Sequence, residues 1–246
     1  MKTFIKLLVC FQLLSLNGFS QTTQKNITHN TQSWISINSN IFIDKHWFIM
    51  ADAHVRENGF FASNSFIFGR VGIGYQVDNN LSVVAGYGNL LSTPTTPGWS
   101  TKADEQRIFQ QVQLTSSYKK VKILQRIRNE QRWQSIIVND VKTGKNKFTN
   151  RVRYLLSFTA PVFKNPWLPQ LVLSDECMLQ FGKDVVYNTF DQNRLFIGIK
   201  QKISNNLSFD AGYMGVFQQK NASSYNQNDT YRLFFYLTLP AKKSVK

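Results

Sequence analysis

The arginines of this chain all fall on one side of a period-two alternation, and that regularity limits the folds open to it. Between residues 31 and 239, apolar and polar side chains alternate along run after run. A period of two puts successive side chains on opposite faces of an extended strand, whereas an amphipathic helix repeats near 3.6. Eleven runs can be marked, at 31–39, 46–56, 64–76, 81–91, 104–118, 121–134, 147–160, 170–182, 191–202, 207–219 and 229–239. Many exceed the ~5–6 residues usual in soluble sheets. They match the ~9–11 that a tilted strand needs to cross a bilayer. The six prolines lie in connections or at run ends, as a residue without a backbone N–H must in a sheet.

Splitting each run by parity gives two chemically distinct faces. In 64–76, Ile67, Val71, Ile73 and Tyr75 oppose Phe66, Phe68 and Arg70; in 147–160, Phe148, Val152, Tyr154, Leu156 and Phe158 oppose Arg151 and Arg153. The ten arginines (Arg56, Arg70, Arg107, Arg126, Arg128, Arg132, Arg151, Arg153, Arg194 and Arg232) share the less apolar face with Asp52, His54, Glu105, Glu130, Glu176 and Asp210. The lysines sit mainly in turns and tails, among them Lys45, Lys119, Lys120, Lys142, Lys145 and Lys147. A guanidinium is less strongly hydrated than an ammonium and holds carboxylates in a two-pronged fork, so arginine in place of lysine points to confined pairing. Tyr75 and Tyr118 near short turns, with Tyr87 and Trp133 near long connections, fit aromatic girdles at two lipid–water interfaces.

Short turns at Asp78-Asn79-Asn80, Lys119-Lys120 and Ser204-Asn205-Asn206 alternate with longer connections at 92–103, 135–146, 183–190 and 220–228. The expected fold is therefore all-β: an antiparallel up-and-down transmembrane β-barrel of about 10–12 strands, with short periplasmic turns and longer outer loops. Bacterial single-chain barrels have even strand counts. Eleven runs thus imply a further strand within 21–30, or a first run that is broken or merged.

The segment 104–134 carries the densest charge. One run sends Glu105, Arg107, Gln111 and Gln113 inward; the next sends Arg126, Arg128, Glu130 and Arg132. A register whose partners sum to 237 sets Glu105 opposite Arg132 and Arg107 opposite Glu130. A register summing to 239 sets Arg107 opposite Arg132, and opposed like charges destabilise a pair by up to about 1 kcal/mol. The first register is the expected one. Glu105, Arg107, Arg126, Arg128, Glu130, Arg132, Arg151, Arg153, Glu176 and Arg194 then form a lumen charge ladder, either structural or ion-selecting. On the outward face Gln106, Gln110, Gln125, Asn129 and Gln131 would meet lipid, where amides without partners are costly. This hairpin is therefore expected to extend above the membrane.

Residues 1–20 read as a cleaved secretory signal: Lys2 and Lys6, the apolar stretch Leu7–Leu16, then Gly18, Phe19 and Ser20 ahead of Gln21. The stretch is about half of the ~20 apolar residues a membrane helix requires. Residues 21–246 form one barrel domain, with Cys177 its single thiol and no internal disulfide. The net charge of +15 could serve nucleic acid, anionic lipid or anionic ligands. Arginine dispersed along strands and an export signal argue against nucleic acid. The expected partners are outer-membrane lipid and, during insertion, the barrel-assembly machinery. The expected location is the cell outer membrane. No cofactor is implied, and no His/Cys/Asp cluster has metal-ligand spacing.

Glu105-Gln-Arg-Ile-Phe-Gln-Gln111, Arg126-Ile-Arg-Asn-Glu-Gln-Arg-Trp133, Arg151-Val-Arg-Tyr154, Asp175-Glu176, Gln192-Asn-Arg194 and Gly212-Tyr213 occur in an order and spacing that resembles the domain of unknown function 2490 family. The resemblance spans nearly all of residues 21–246. It implies an exported outer-membrane barrel of the kind common in Bacteroidetes-type bacteria, and it carries no catalytic residues. The last run departs from the usual barrel ending, stopping at Leu239-Pro240 before a basic tail.

Three functions follow as expectations. The first is a non-enzymatic barrel, either a narrow anion-preferring pore or a structural envelope protein. The second is an outer-membrane lipid hydrolase using His54, with Asp52 beside it and Ser63 and Ser65 close in sequence; no lipase motif surrounds them. The third is a soluble periplasmic barrel that holds an apolar ligand against its Phe-rich face.

Overall fold

The computed structural model describes residues 25–94 and 96–241, all of them in strands and their connections. The predicted signal at 1–20 lies outside the described residues. The eleven strands are β1 (Asn26–Phe42), β2 (Trp47–Asn58), β3 (Ser63–Gln76), β4 (Leu81–Ser92), β5 (Ala103–Tyr118), β6 (Val121–Val138), β7 (Val141–Pro161), β8 (Gln170–Phe181), β9 (Phe190–Lys202), β10 (Leu207–Gln219) and β11 (Ser224–Leu239). Each pairs antiparallel with the next, and β1 meets β11 to close the barrel.

The expected even count is not found. The extra residues ahead of the first run, Asn26–Asn30, extend β1 instead of forming another strand. In a meander, successive strands reverse direction, so the first and eleventh point the same way and can close the sheet only in parallel. They do so from Asn26↔Ser224 through Ile41↔Leu239. The barrel is thus mixed, and its first strand begins at the rim opposite the one where its last strand ends. We call these the loop rim, where β1 begins, and the turn rim, where β11 ends.

Connections are set by local side-chain chemistry. At the turn rim, the Asp44 carboxylate accepts the backbone N–H groups of His46 and Trp47, both at 2.7 Å. Asp78 accepts those of Asn80 and Leu81 at 2.7 and 2.9 Å. Asn221 caps the β10–β11 turn in the same way at the loop rim. Such side-chain acceptors stand in for a backbone turn. The contrast in connection length is smaller than expected. Residues 135–146 are not a loop, because Asn139 and Asp140 adopt φ of 51° and 61° and close a two-residue hairpin of the type whose twist suits strand pairing. The β10–β11 connection is short, whereas the β7–β8 connection at the turn rim runs from 162 to 169.

The parity split is realised with the apolar face outward. Ile37, Ile67, Val71, Ile73, Ile108, Val112, Ile127, Leu173, Leu195 and Ile197 are all exposed on the barrel wall. A soluble barrel around an apolar ligand requires the opposite arrangement. Inside, twenty-one buried polar or charged residues face eleven buried hydrophobics among the described residues, so the interior is a polar filling with two small apolar clusters. One gathers Trp34, Val172, Phe196, Met214 and Val216; the other gathers Phe48, Met50, Val84 and Phe109. The second depends on missing side chains: a Cβ at Gly74 would overlap the Phe48 ring, and one at Gly86 would lie 2.8 Å from the Phe109 ring.

Candidate functional site

All ten arginines line or flank one interior cavity of about 910 Å³. Its wall includes Asn30, Asn58, Thr93 and Lys220 toward the loop rim and Asn40, Thr159, Lys200 and Thr238 toward the turn rim. The ten ladder residues come together on the β5–β9 wall. Glu130, 1% exposed, accepts Arg151 Nε and Arg153 Nη1, each at 2.9 Å, with Arg128 Nη1 3.7 Å away. Glu176 takes a two-pronged fork from Arg153, Nε donating to Oε1 at 3.1 Å and Nη2 to Oε2 at 2.8 Å, and also pairs with Arg126 at 2.8 Å and Arg194 at 3.3 Å. Glu105 holds Arg107 at 2.5 Å and lies 3.9 Å from Arg132. Arg132 also donates to Gln180 at 2.6 Å and Thr149 at 3.1 Å. On the remaining wall Arg70 pairs with Asp52, and Arg232 forks onto Asp210 at 2.9 and 2.6 Å beside the Tyr236 hydroxyl.

The register within β5–β6 is the one not expected. Arg107 lies opposite Arg132 and Glu105 opposite Gln134, a sum of 239. The Lys119–Lys120 turn fixes this, because Tyr118 pairs with Val121 and every later pair follows. The like-charge cost is met by curvature. Arg132 finds Thr149 on β7 and Gln180 on β8, while Glu130 is served by two arginines of β7. A two-strand argument omits these third-strand partners.

Parity also missed one carboxylate. Asp191 is buried and accepts Arg151 Nη1 at 2.9 Å. The β8–β9 register jumps from Met178↔Gln192 to Leu179↔Phe190, so Asp191 is the extra residue of a bulge, and it and Gln192 are both buried. A bulge breaks strict alternation, and no residue type in the sequence marked it. Ten guanidinium groups thus meet six inward carboxylates, Asp52, Glu105, Glu130, Glu176, Asp191 and Asp210, an excess of four positive charges. Lys200, on the same cavity wall, adds to it.

Several outward amides of β5–β6 are partnered, although Asn129 Oδ1 is not. Gln110 and Gln131 exchange hydrogen bonds at 3.2 and 3.3 Å, Asn129 donates to Gln110 at 3.4 Å, and the Tyr154 hydroxyl donates to Gln125 at 3.1 Å. The β6–β7 hairpin pairs on past its neighbouring strands, and its tip docks on the β4–β5 connection: Asp140 accepts the backbone N–H of Ser100 at 3.0 Å and of Thr101 at 2.7 Å. Those two amides hold the Asp140 carboxyl below the usual carboxylate range. The amides of Trp47 and His46 do the same for Asp44 at the other rim.

His54 sits between the rings of Phe68 and Phe234, with centroids 5.6 and 5.8 Å away. Neither ring nitrogen has a hydrogen-bond partner. The β3 partner of His54 is Phe68 and its β1 partner is Ser36, whose Oγ accepts Asn38 Nδ2 at 2.9 Å, while Ser63 lies at the loop rim opposite Asn58. Cys177 is free and half-buried on the outward parity. A family profile described as "Protein of unknown function (DUF2490)" matches residues 31–228. No match was found among curated proteins or among solved structures.

Proposed function

The chain belongs to the DUF2490 family, and from that premise we propose that it is an exported outer-membrane barrel whose lumen passes small anions. The observation that carries this is the inverted partition of side chains. A wall of exposed Ile, Val and Leu surrounds a cavity lined by all ten arginines. Apolar surface of this extent is what hydrocarbon would cover, and every backbone polar group of a closed sheet is satisfied without water. Four uncompensated positive charges inside a low-dielectric wall attract anions and repel cations, as rings of Arg and Lys do in anion pores. We read the role as non-catalytic, a reading supported by the two His54 ring nitrogens, neither of which holds a hydroxyl by the hydrogen bond that an activated nucleophile makes to its base.

The test begins with fractionation of expressing cells and comparison of gel mobility before and after boiling. Recovery in the outer membrane with a boiling-dependent shift is expected; recovery in soluble periplasm overturns the location. Reconstitution in a planar bilayer under a KCl gradient then reads selectivity. A reversal potential displaced toward that of chloride is expected, and displacement toward potassium overturns the anion preference. A structural envelope role is the second reading, favoured by the ion pairing of nine of the ten arginines. A correctly inserted barrel without conductance would support it.

A further inference from the structure

Arg56 differs from the other lumen arginines. Each of the others lies within 4 Å of a carboxylate oxygen, whereas Arg56 has no such partner among the described residues. Its Nε is buried without a hydrogen bond, as are both nitrogens of His54, two residues away on the same face of β2. The guanidinium lies 3.4 Å above the centre of the Trp34 ring and 4.4 Å from that of Phe66, and it faces the cavity. Stacking holds the plane of the guanidinium while leaving its edge, where the N–H donors are, unused. Arg194 reaches the same Trp34 ring at 4.8 Å from across the lumen. Arg107 lies over Phe68, the aromatic neighbour of His54, at 4.7 Å, and gives its Nε to Glu105.

We propose that Arg56, with His54 and Arg107, forms a phosphate-binding site in the lumen. A buried cation without a counterion is costly to a fold, and the cost falls if a bound anion supplies the missing charge. The unused donor edge of Arg56, the unpartnered His54 ring and the second guanidinium of Arg107 suit a dianion with several acceptor oxygens better than a carboxylate, which a single fork satisfies. The site is reached from the loop rim, where Asn58 and Lys220 line the same cavity. This inference rests on the lumen being accessible to anions and assigns one of them a resting place.

The experiment is calorimetric titration of the full chain, folded in detergent, with inorganic phosphate and separately with acetate, at fixed chloride and ionic strength. Saturable phosphate binding is expected, with acetate at least tenfold weaker. Arg56→Gln should weaken phosphate at least tenfold. Arg56→Lys, which keeps the charge but not the stacked fork, should weaken it severalfold, and Lys45→Gln in the distant turn should leave it unchanged. Removing Arg56 breaks no ion pair, so both variants should fold, as read by the boiling-dependent gel shift. Absence of saturable binding, equal loss in Lys45→Gln, or full retention in Arg56→Gln overturns the site. Acetate binding as tight as phosphate overturns the phosphate assignment. A chloride-selective barrel that binds no phosphate sinks this inference alone; phosphate binding without conductance sinks the passage and leaves the site.

Discussion

Within the lumen the arginines fall into two energetic kinds. Arg153 bridges Glu130 and Glu176, so replacing it with Met leaves two buried carboxylates short of a partner. Breaking a buried pair from one side costs about 3–5 kcal/mol, and Arg153→Met should lower the urea midpoint of the folded barrel accordingly. Arg56→Met removes a cation that has no counterion and should leave the midpoint unchanged or raise it. If both variants lose stability equally, the distinction fails. Parity alone placed all ten arginines on the inward face, because a two-residue period has no third orientation. It could not tell which of them lacked a carboxylate, since that depends on which carboxylates lie one or two strands away around the wall. It also missed Asp191, which a bulge turned inward.

At the level of the strand pair, the turn outranks the side chains. Lys119–Lys120 sets β5 against β6, and the opposed Arg107 and Arg132 are accommodated around it. With Cys177 replaced by Ser, cysteines at Ile108 and Gln131 should therefore cross-link on oxidation, since they are direct partners and a disulfide bridges Cα atoms ~4.4–6.8 Å apart. Cysteines at Ile108 and Asn129, partners in the charge-matched register, should cross-link poorly; the reverse result would restore that register. The β6–β7 hairpin was unread for a similar reason: Asn139-Asp140 is a turn signal between Ile136-Ile137-Val138 and Val141, and that unbroken apolar run hides the two-residue alternation of a strand. Its tip offers a pH test. The Asp140 carboxyl titrates lower when tied to Ser100 and Thr101 than when free. The tie is therefore fully present above the ordinary carboxylate range and is lost as pH falls through the depressed value. Amide hydrogen exchange at Ser100 and Thr101, corrected for intrinsic rate, should accelerate across that acidic window, and Asp140→Ala should show the faster exchange already at neutral pH. Protection that is indifferent to both would mean the loop is held by other contacts.

For the molecule as a whole, the strand pattern, the all-β class and the two faces were legible in the sequence, because a closed sheet imposes one rule on every residue. The closure itself was not. Strand count and seam direction are properties of the ring, and an expectation of even numbers led to a search for a missing strand. The parallel seam is directly testable: cysteines at Ile37 and Phe235, partners across β1 and β11, should bridge in the folded barrel and hold it closed on a gel without boiling, whereas failure to bridge would argue for a different seam. The same seam sets a limit on rewiring. In a barrel with an even number of strands, the first and last strands end at one rim, and a few residues can join them while a new break is opened elsewhere. Here the end of β11 and the beginning of β1 are separated by the height of the wall, a strand of seventeen residues. A circular permutant would need a linker that threads the barrel interior or runs up the wall as a twelfth strand, so this barrel can be cut and rejoined only by adding to it.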